Sequence, residues 1–135
     1  CGGGSNQRFG LYDAVMIKDN HIKASGGISS AVEKIRKALG NKSKVEVETQ
    51  NLDEVREALK QKVDIIMLDN MSIDSIYESV KVIDGKAIAE ISGGVNFERL
   101  EEISKTGADF VSIGALTHSA PAVDISMNII SSLVE

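Results

Sequence analysis

The chain repeatedly runs a short apolar stretch into a polar or glycine tip, and no other property constrains its fold as tightly. AVMIK ends at Lys18, KVEVE at Glu48, DIIMLD at Asp69, AIAEISGG at Gly93 and Gly94, and DFVSIG at Gly114. Segments with apolar residues at helical spacing lie between these stretches. Strand–helix alternation of this kind predicts parallel strands joined by right-handed crossovers. In an α/β barrel, successive strand ends converge on one mouth, where such enzymes place their chemistry. A lysine, two carboxylates and two glycine turns delivered to one mouth suit a phosphorylated substrate. The strands are, however, too few to close a barrel.

The helices between them carry local signals. Ser29 to Leu39 is expected to be helical, with Ala31, Ile35, Ala38 and Leu39 as its apolar stripe and Gly40-Asn41 as its stop. Asn51, with Glu54 three positions on, forms a capping-box pattern for a helix over Leu52–Lys60. Ser72 caps a helix to about Val82, and Asn96 caps one from Phe97 to Lys105, ended by Gly107. Asp19-Asn20-His21 reads as the tip of the first strand. From Ile125 onward the pattern fits two structures. Ile125, Met127 and Ile129 alternate like a strand, whereas Ile125, Ile129, Ile130, Leu133 and Val134 could line a helix.

Bulk properties narrow the function classes. The 135 residues carry 15 basic and 20 acidic side chains, a formal charge of −5, which argues against a nucleic-acid surface. Cys1 is the only cysteine, so an internal disulfide and a cysteine-based metal site are excluded. No stretch approaches the roughly 18 apolar residues of a membrane span, and no signal peptide is visible. A cytoplasmic protein is expected. The glycine-rich opening Cys1 to Asn6, without an initiating methionine, reads like the interior of a longer chain.

Glu48 and Asp69 close successive strands and would stand near each other in a barrel, able to share a cation or bind adjacent hydroxyls. Mg²⁺ prefers oxygen ligands and is often held by few carboxylates plus substrate phosphates. The other reading of either residue is a solvated strand end or a helix cap. Glu46 shares the face of Glu48 one step deeper and would need a charge partner if buried. Lys18 suits a role inside the mouth. A surface lysine covering apolar area and a Schiff-base amine are the other readings of it. His21 fits substrate positioning and an internal hydrogen bond equally, and local turn bonds account for Asn20 and Asn70 as well as a functional role does.

The Gly93-Gly94 turn and the Gly114-Ala115 turn follow consecutive strands. Backbone N–H groups at such turns and helix starts hold phosphate without side-chain charge, and the last two loops of barrels often do so. His118 and Ser119 lie close enough to the second turn to add donors. Neither a GxGxxG fingerprint nor a P-loop lysine motif occurs.

The string CGGGSNQRFGLYDAVMIKDNHI closely resembles the nicotinate-nucleotide pyrophosphorylase (carboxylating) family, also called quinolinate phosphoribosyltransferases. VEVE, IMLDN, EISGG and SIGALTHSAPAVDIS follow in that family's order, so the resemblance covers essentially the whole chain. It implies the later part of an atypical six-stranded (β/α) barrel over residues 1–135, with the N-terminal domain and early barrel strands outside the chain. It also implies a homodimer and a Mg²⁺-dependent reaction. Phosphoribosyl pyrophosphate would donate its phosphoribosyl group to the ring nitrogen of quinolinate, with loss of carbon dioxide. By the same resemblance Arg8 binds a quinolinate carboxylate, and Lys18 contacts substrate carboxylate or phosphate. Glu48 and Asp69 hold the ribose hydroxyls and the metal. Ser92, Gly93, Gly94, Gly114 and His118 surround the 5′-phosphate, and His21 remains a candidate substrate contact. The family commonly has asparagine-histidine-arginine where this chain has Asn6-Gln7-Arg8. Two alternatives stand beside this reading. One is another phosphate-binding barrel enzyme, such as a Schiff-base lyase or a related phosphoribosyltransferase; the other is an inactive association module.

Overall fold

In a computed structural model, residues 2–6, 13–40 and 43–129 are described. Five strands form one sheet: β1 (Ala14–Ile17), β2 (Lys44–Thr49), β3 (Ile65–Asp69), β4 (Ile88–Ser92) and β5 (Phe110–Val111). They lie side by side in chain order, and every neighbouring pair is parallel. The helices are α1 (Asp19–Ser25), α2 (Ile28–Leu39), α3 (Leu52–Lys60), α4 (Ile73–Ile83), α5 (Phe97–Ser104) and α6 (Ala115–His118). Parallel strands in sequential order with same-handed crossovers put all their helices on one face. This is the order of a barrel wall rather than of a doubly wound sheet. Among the described residues the wall has five strands and is not closed into a six-stranded barrel.

Alternation along each strand divides the side chains between two faces. Val45, Val47, Ile66, Leu68, Ala89 and Ile91 point to the helices and form the core with Val55, Ala58, Ile76, Ile83 and Ile103. The opposite, inner face carries Met16, Glu46, Glu48, Met67, Asp69, Glu90 and Ser92, placed in rows by the strand register. Glu46 is fully buried there, one step below Glu48.

Two aspartates clamp the bottom of the sheet in the same way. Asp64, just before β3, accepts the Val45 N–H at 2.8 Å, and its own N–H donates to the Val45 carbonyl. Asp109, just before β5, makes the same pair of bonds with Ala89, again at 2.8 Å through the carboxylate. In each case a side chain extends the parallel ladder one step beyond the strand.

Local signals place the helices closely. Asn51 accepts the Glu54 N–H at 3.0 Å, Ser72 caps α4 through the Ser75 N–H, and Asn96 caps α5 through the Arg99 N–H. The α2 stripe differs from expectation. Ile28, Ala31 and Val32 are buried, while Ala38 and Leu39 are exposed, so the covered stripe is confined to the earlier part of the helix. Asp19-Asn20-His21 is not a loop tip but the first turn of α1, closed by Gly26 in the left-handed region at φ 85°. Residues 119–129 adopt neither candidate structure. They run without regular structure, with Val123, Ile125, Met127 and Ile129 between 79% and 89% exposed. Ile130, Leu133 and Val134 lie outside the described residues.

Candidate active site at the strand ends

Asp69 and Ser92 are the last residues of β3 and β4 and are register partners. Glu48, one residue before the end of β2, pairs with Met67, which places it one row below Asp69 on the same face. Lys18 follows β1 directly and is the N-cap residue of α1. The electrostatics of Glu48 reflect these neighbours. Burial raises its pKa above the ordinary carboxylate value, Asp69 adds to the rise, Lys18 opposes it, and Asp19 contributes a further rise. Two expected site residues, Asp69 and Lys18, thus act on a third, Glu48, and Asp19 acts on it too. Asp19 itself is held low by its hydrogen bond from Lys23 at 3.1 Å and by the Asn20 N–H.

The β3 tip is tied to the β4 tip. Asn70 adopts the left-handed region at φ 52°, its amide donates to Asp69 Oδ2 at 2.8 Å, and its N–H donates to the Ser92 carbonyl at 3.0 Å. Gly93 and Gly94 follow at φ 84° and 57°, a conformation available to glycine without the steric cost other residues bear. The turn then enters α5, whose Arg99 reaches the Gly94 carbonyl at 3.4 Å.

The second glycine turn is built differently. Gly114 is right-handed, at φ −64°, and opens the single turn of α6. A β-carbon on Gly114 would meet His118 Nε2 at 3.4 Å, an ordinary van der Waals distance, so neither backbone nor packing demands glycine there. Gly114 and His118, both singled out from sequence, are thus in contact, and His118 Nδ1 shares a 2.6 Å hydrogen bond with Ser119 Oγ.

His21 sits at the mouth, where its Nδ1 accepts the Lys18 N–H at 3.0 Å and braces the start of α1. Arg8 and Gln7 lie outside the described residues. A shallow cavity of about 120 Å³, lined by Asp19, Ile22, Lys23, Glu48, Gln50 and Glu54, opens beside Glu48. Among the described residues no group of three or more histidine, cysteine or carboxylate side chains is gathered to hold a metal. Glu48 and Asp69 remain as a pair of carboxylates at adjacent strand ends. No described helix is long and apolar enough to cross a membrane.

Sequence reasoning missed three participants. Sequence places Asp19 in a strand tip, whereas the structure sets its charge beside Glu48. The contact of Asn70 with Gly93 spans two strands, so local pattern does not link them. Glu90 has one signal in the sequence, its place two residues before Ser92, which puts both on one face.

Residues 1–128 match the family model described as quinolinate phosphoribosyl transferase, C-terminal domain. The chain is 44% identical over 129 residues to the Bacillus subtilis protein named "Probable nicotinate-nucleotide pyrophosphorylase (carboxylating)", covering 96% of this chain and 45% of that protein. It is 43% identical over 146 aligned positions to a chloroplastic nicotinate-nucleotide pyrophosphorylase (carboxylating) of Arabidopsis thaliana, covering 95% of this chain and 42% of the relative. The solved structure of the nicotinate-nucleotide pyrophosphorylase from Francisella tularensis superposes with a TM-score of 0.86 at 48% identity, over 93% of this chain and 45% of that one. The chain spans about half the length of the curated relatives it matches.

Proposed function

The chain belongs to the quinolinate phosphoribosyltransferase family, and from that premise we propose that it supplies one wall of a decarboxylating phosphoribosyltransferase pocket. The observation that carries this reading is the parallel register that brings Glu48 and Asp69 to one face at one end of the sheet, with Lys18 directly after β1 and the Gly93-Gly94 turn directly after β4. The 135 residues are the later part of the barrel domain. The portion of the family length that the chain does not span completes the pocket, and a second subunit pairs with it in a homodimer.

The reaction follows from these groups. The ring nitrogen of quinolinate attacks the anomeric carbon of phosphoribosyl pyrophosphate, and the bond to pyrophosphate breaks with both electrons going to the leaving oxygen. Positive charge grows at the anomeric carbon, and fixed carboxylates at Glu48 and Asp69 stabilise it there. The same two residues hold the ribose hydroxyls. Lys18 meets an anionic group of the substrates, and Arg8 binds a quinolinate carboxylate in a bidentate pair. The 5′-phosphate rests on the N–H groups after Ser92, at Gly93 and Gly94, and at the Gly114 turn with His118. Once the ring nitrogen is ribosylated and cationic, the bond to the 2-carboxylate breaks. Carbon dioxide leaves, and the electron pair at the ring carbon takes up a proton. Positioning and electrostatics carry the transfer without a covalent enzyme intermediate.

Two neighbouring carboxylates fit a Mg²⁺ ion that keeps several waters and completes its shell with substrate oxygens. Glu48 and Asp69 would hold it, and it would offset the charge of the pyrophosphate leaving group.

The test is release of carbon dioxide and pyrophosphate by the full-length protein, with quinolinate and phosphoribosyl pyrophosphate supplied together or singly. Both products should require both substrates, and Asp69→Asn should abolish them. Pyrophosphate release that ignores quinolinate would sink the reading. Borohydride trapping of a substrate on Lys18 would replace it with a Schiff-base lyase.

A further inference from the structure

Glu90 is a carboxylate on the inner face of β4, 3% exposed, to which the reaction above gives no task. Ser112 Oγ donates to its Oε1 at 2.5 Å, across the gap from β5. The Ser112 N–H also donates to the Ile91 carbonyl at 2.9 Å. Burying a carboxylate is costly unless hydrogen bonds offset the loss of water, so an apolar side chain would fill this position more cheaply if packing were all it served.

Its location suggests what else it serves. Two residues beyond Glu90 lies Ser92, followed by Gly93; two residues beyond Ser112 lies Gly114. The bridge therefore stands directly beneath both glycine turns. β5 has only two paired residues, Phe110 and Val111, both exposed. Few other bonds hold its end: the Asp109 clamp below and the Ser112 N–H beside it. On the other side, the Gly93 turn is anchored to β3 through the Asn70 N–H and the Ser92 carbonyl. Buried Met67 stands between Glu90 and Glu48 in their shared row, which separates Glu90 from Glu48.

We propose that Glu90 is a positioning residue: through Ser112 it sets the spacing between the Gly93-Gly94 turn and the Gly114 turn, and so the affinity for a 5′-phosphorylated ribose. This rests on the reading that the two turns hold the 5′-phosphate. Two sets of N–H groups grip one phosphate only when both point at it together, and misplacement by an ångström is enough to lose much of the benefit.

The experiment measures binding of ribose 5-phosphate by calorimetry, together with steady-state kinetics, in the full-length protein. Glu90→Leu removes the acceptor, Ser112→Ala the donor, and Glu90→Gln keeps an acceptor of the same shape. Glu101→Gln, on the surface of α5, is the control. Glu90→Leu and Ser112→Ala should each weaken ribose 5-phosphate binding, and raise KM for phosphoribosyl pyrophosphate, on the order of tenfold with kcat within about twofold. Glu90→Gln should restore binding to within about twofold, and the Glu90→Leu/Ser112→Ala double variant should be no worse than either single one. If Glu90→Leu fails to fold, Ser112→Ala carries the same comparison. Equal binding by both variants, with the unsubstituted protein binding normally, would overturn the proposal alone. A fall in kcat at unchanged KM would also overturn it, in favour of direct catalysis. An unsubstituted protein that does not bind ribose 5-phosphate would overturn the phosphate site itself, and the proposal with it.

Discussion

Asn70 is packed so closely against Gly93 that no side chain fits there. A β-carbon on Gly93 would lie 2.7 Å from the Asn70 backbone nitrogen and closer still to its side-chain amide. Asn70 is in turn held by Asp69 and by the Ser92 carbonyl. The end of one strand thus shapes the glycine turn that follows the next. Gly93→Ala combines this clash with a left-handed backbone, a combination that costs about 1–3 kcal/mol. Urea unfolding should show that loss, and ribose 5-phosphate binding should fall with it. An alanine variant with unchanged stability would mean that Asn70 yields freely.

Glu48 lends itself to a pH experiment. Its folded-state pKa lies above the ordinary value because burial and Asp69 disfavour the charged form. The stability linked to the protonated form is present in full below the unfolded value and is lost as pH rises through the folded one. Glu48→Gln should therefore be more stable than the parent at pH 7, with the difference disappearing as pH falls below the ordinary glutamate range. Turnover should show the opposite preference and be lost in the Gln variant, since an uncharged amide cannot stabilise positive charge. Parallel pH-dependent melts of the two proteins that never converge would refute the assignment.

The two bottom clamps should behave alike. Asp64→Ala strands the N–H of Val45, and Asp109→Ala that of Ala89, both on buried strand residues. Each loss should cost about 1–3 kcal/mol. Asparagine at either position keeps an acceptor and should recover most of it. Hydrogen exchange at Val45 and Ala89 reads the effect site by site, and unchanged protection in the alanine variants would contradict the clamp.

His21 tests whether the mouth histidine is a brace. Its acceptor bond to the Lys18 N–H should be worth about 0.5–1.5 kcal/mol. His21→Ala should lower thermal stability by that order, and His21→Asn should retain part of it. If His21→Ala leaves stability untouched and raises KM for quinolinate, the side chain serves the substrate instead.

Much of this architecture was legible in local pattern. Asn51, Ser72 and Asn96 announce their helices because a capping side chain acts within three residues. The strands stand out because their apolar runs end at polar tips. Local pattern does not announce α1, because Asp19-Asn20-His21 carries the composition of a turn and the bond from the Lys18 N–H to His21 exists only in three dimensions. Helical periodicity places Ala38 and Leu39 with the core because it reports which side of α2 they share, not how far along the helix that side is covered.

The opening pattern of apolar runs and polar tips determined the order of elements, the parallel wall and the end at which Lys18, Glu48, Asp69 and the glycine turns gather. Those are consequences of periodicity and chain order, which any stretch of the chain carries within itself. Only the tertiary structure decided which charges act on Glu48, why Gly93 must lack a side chain while Gly114 need not, and that Glu90 reaches Ser112. Each of these is a relation between residues 4 to 30 positions apart, set by strand register and turn geometry rather than by neighbouring sequence.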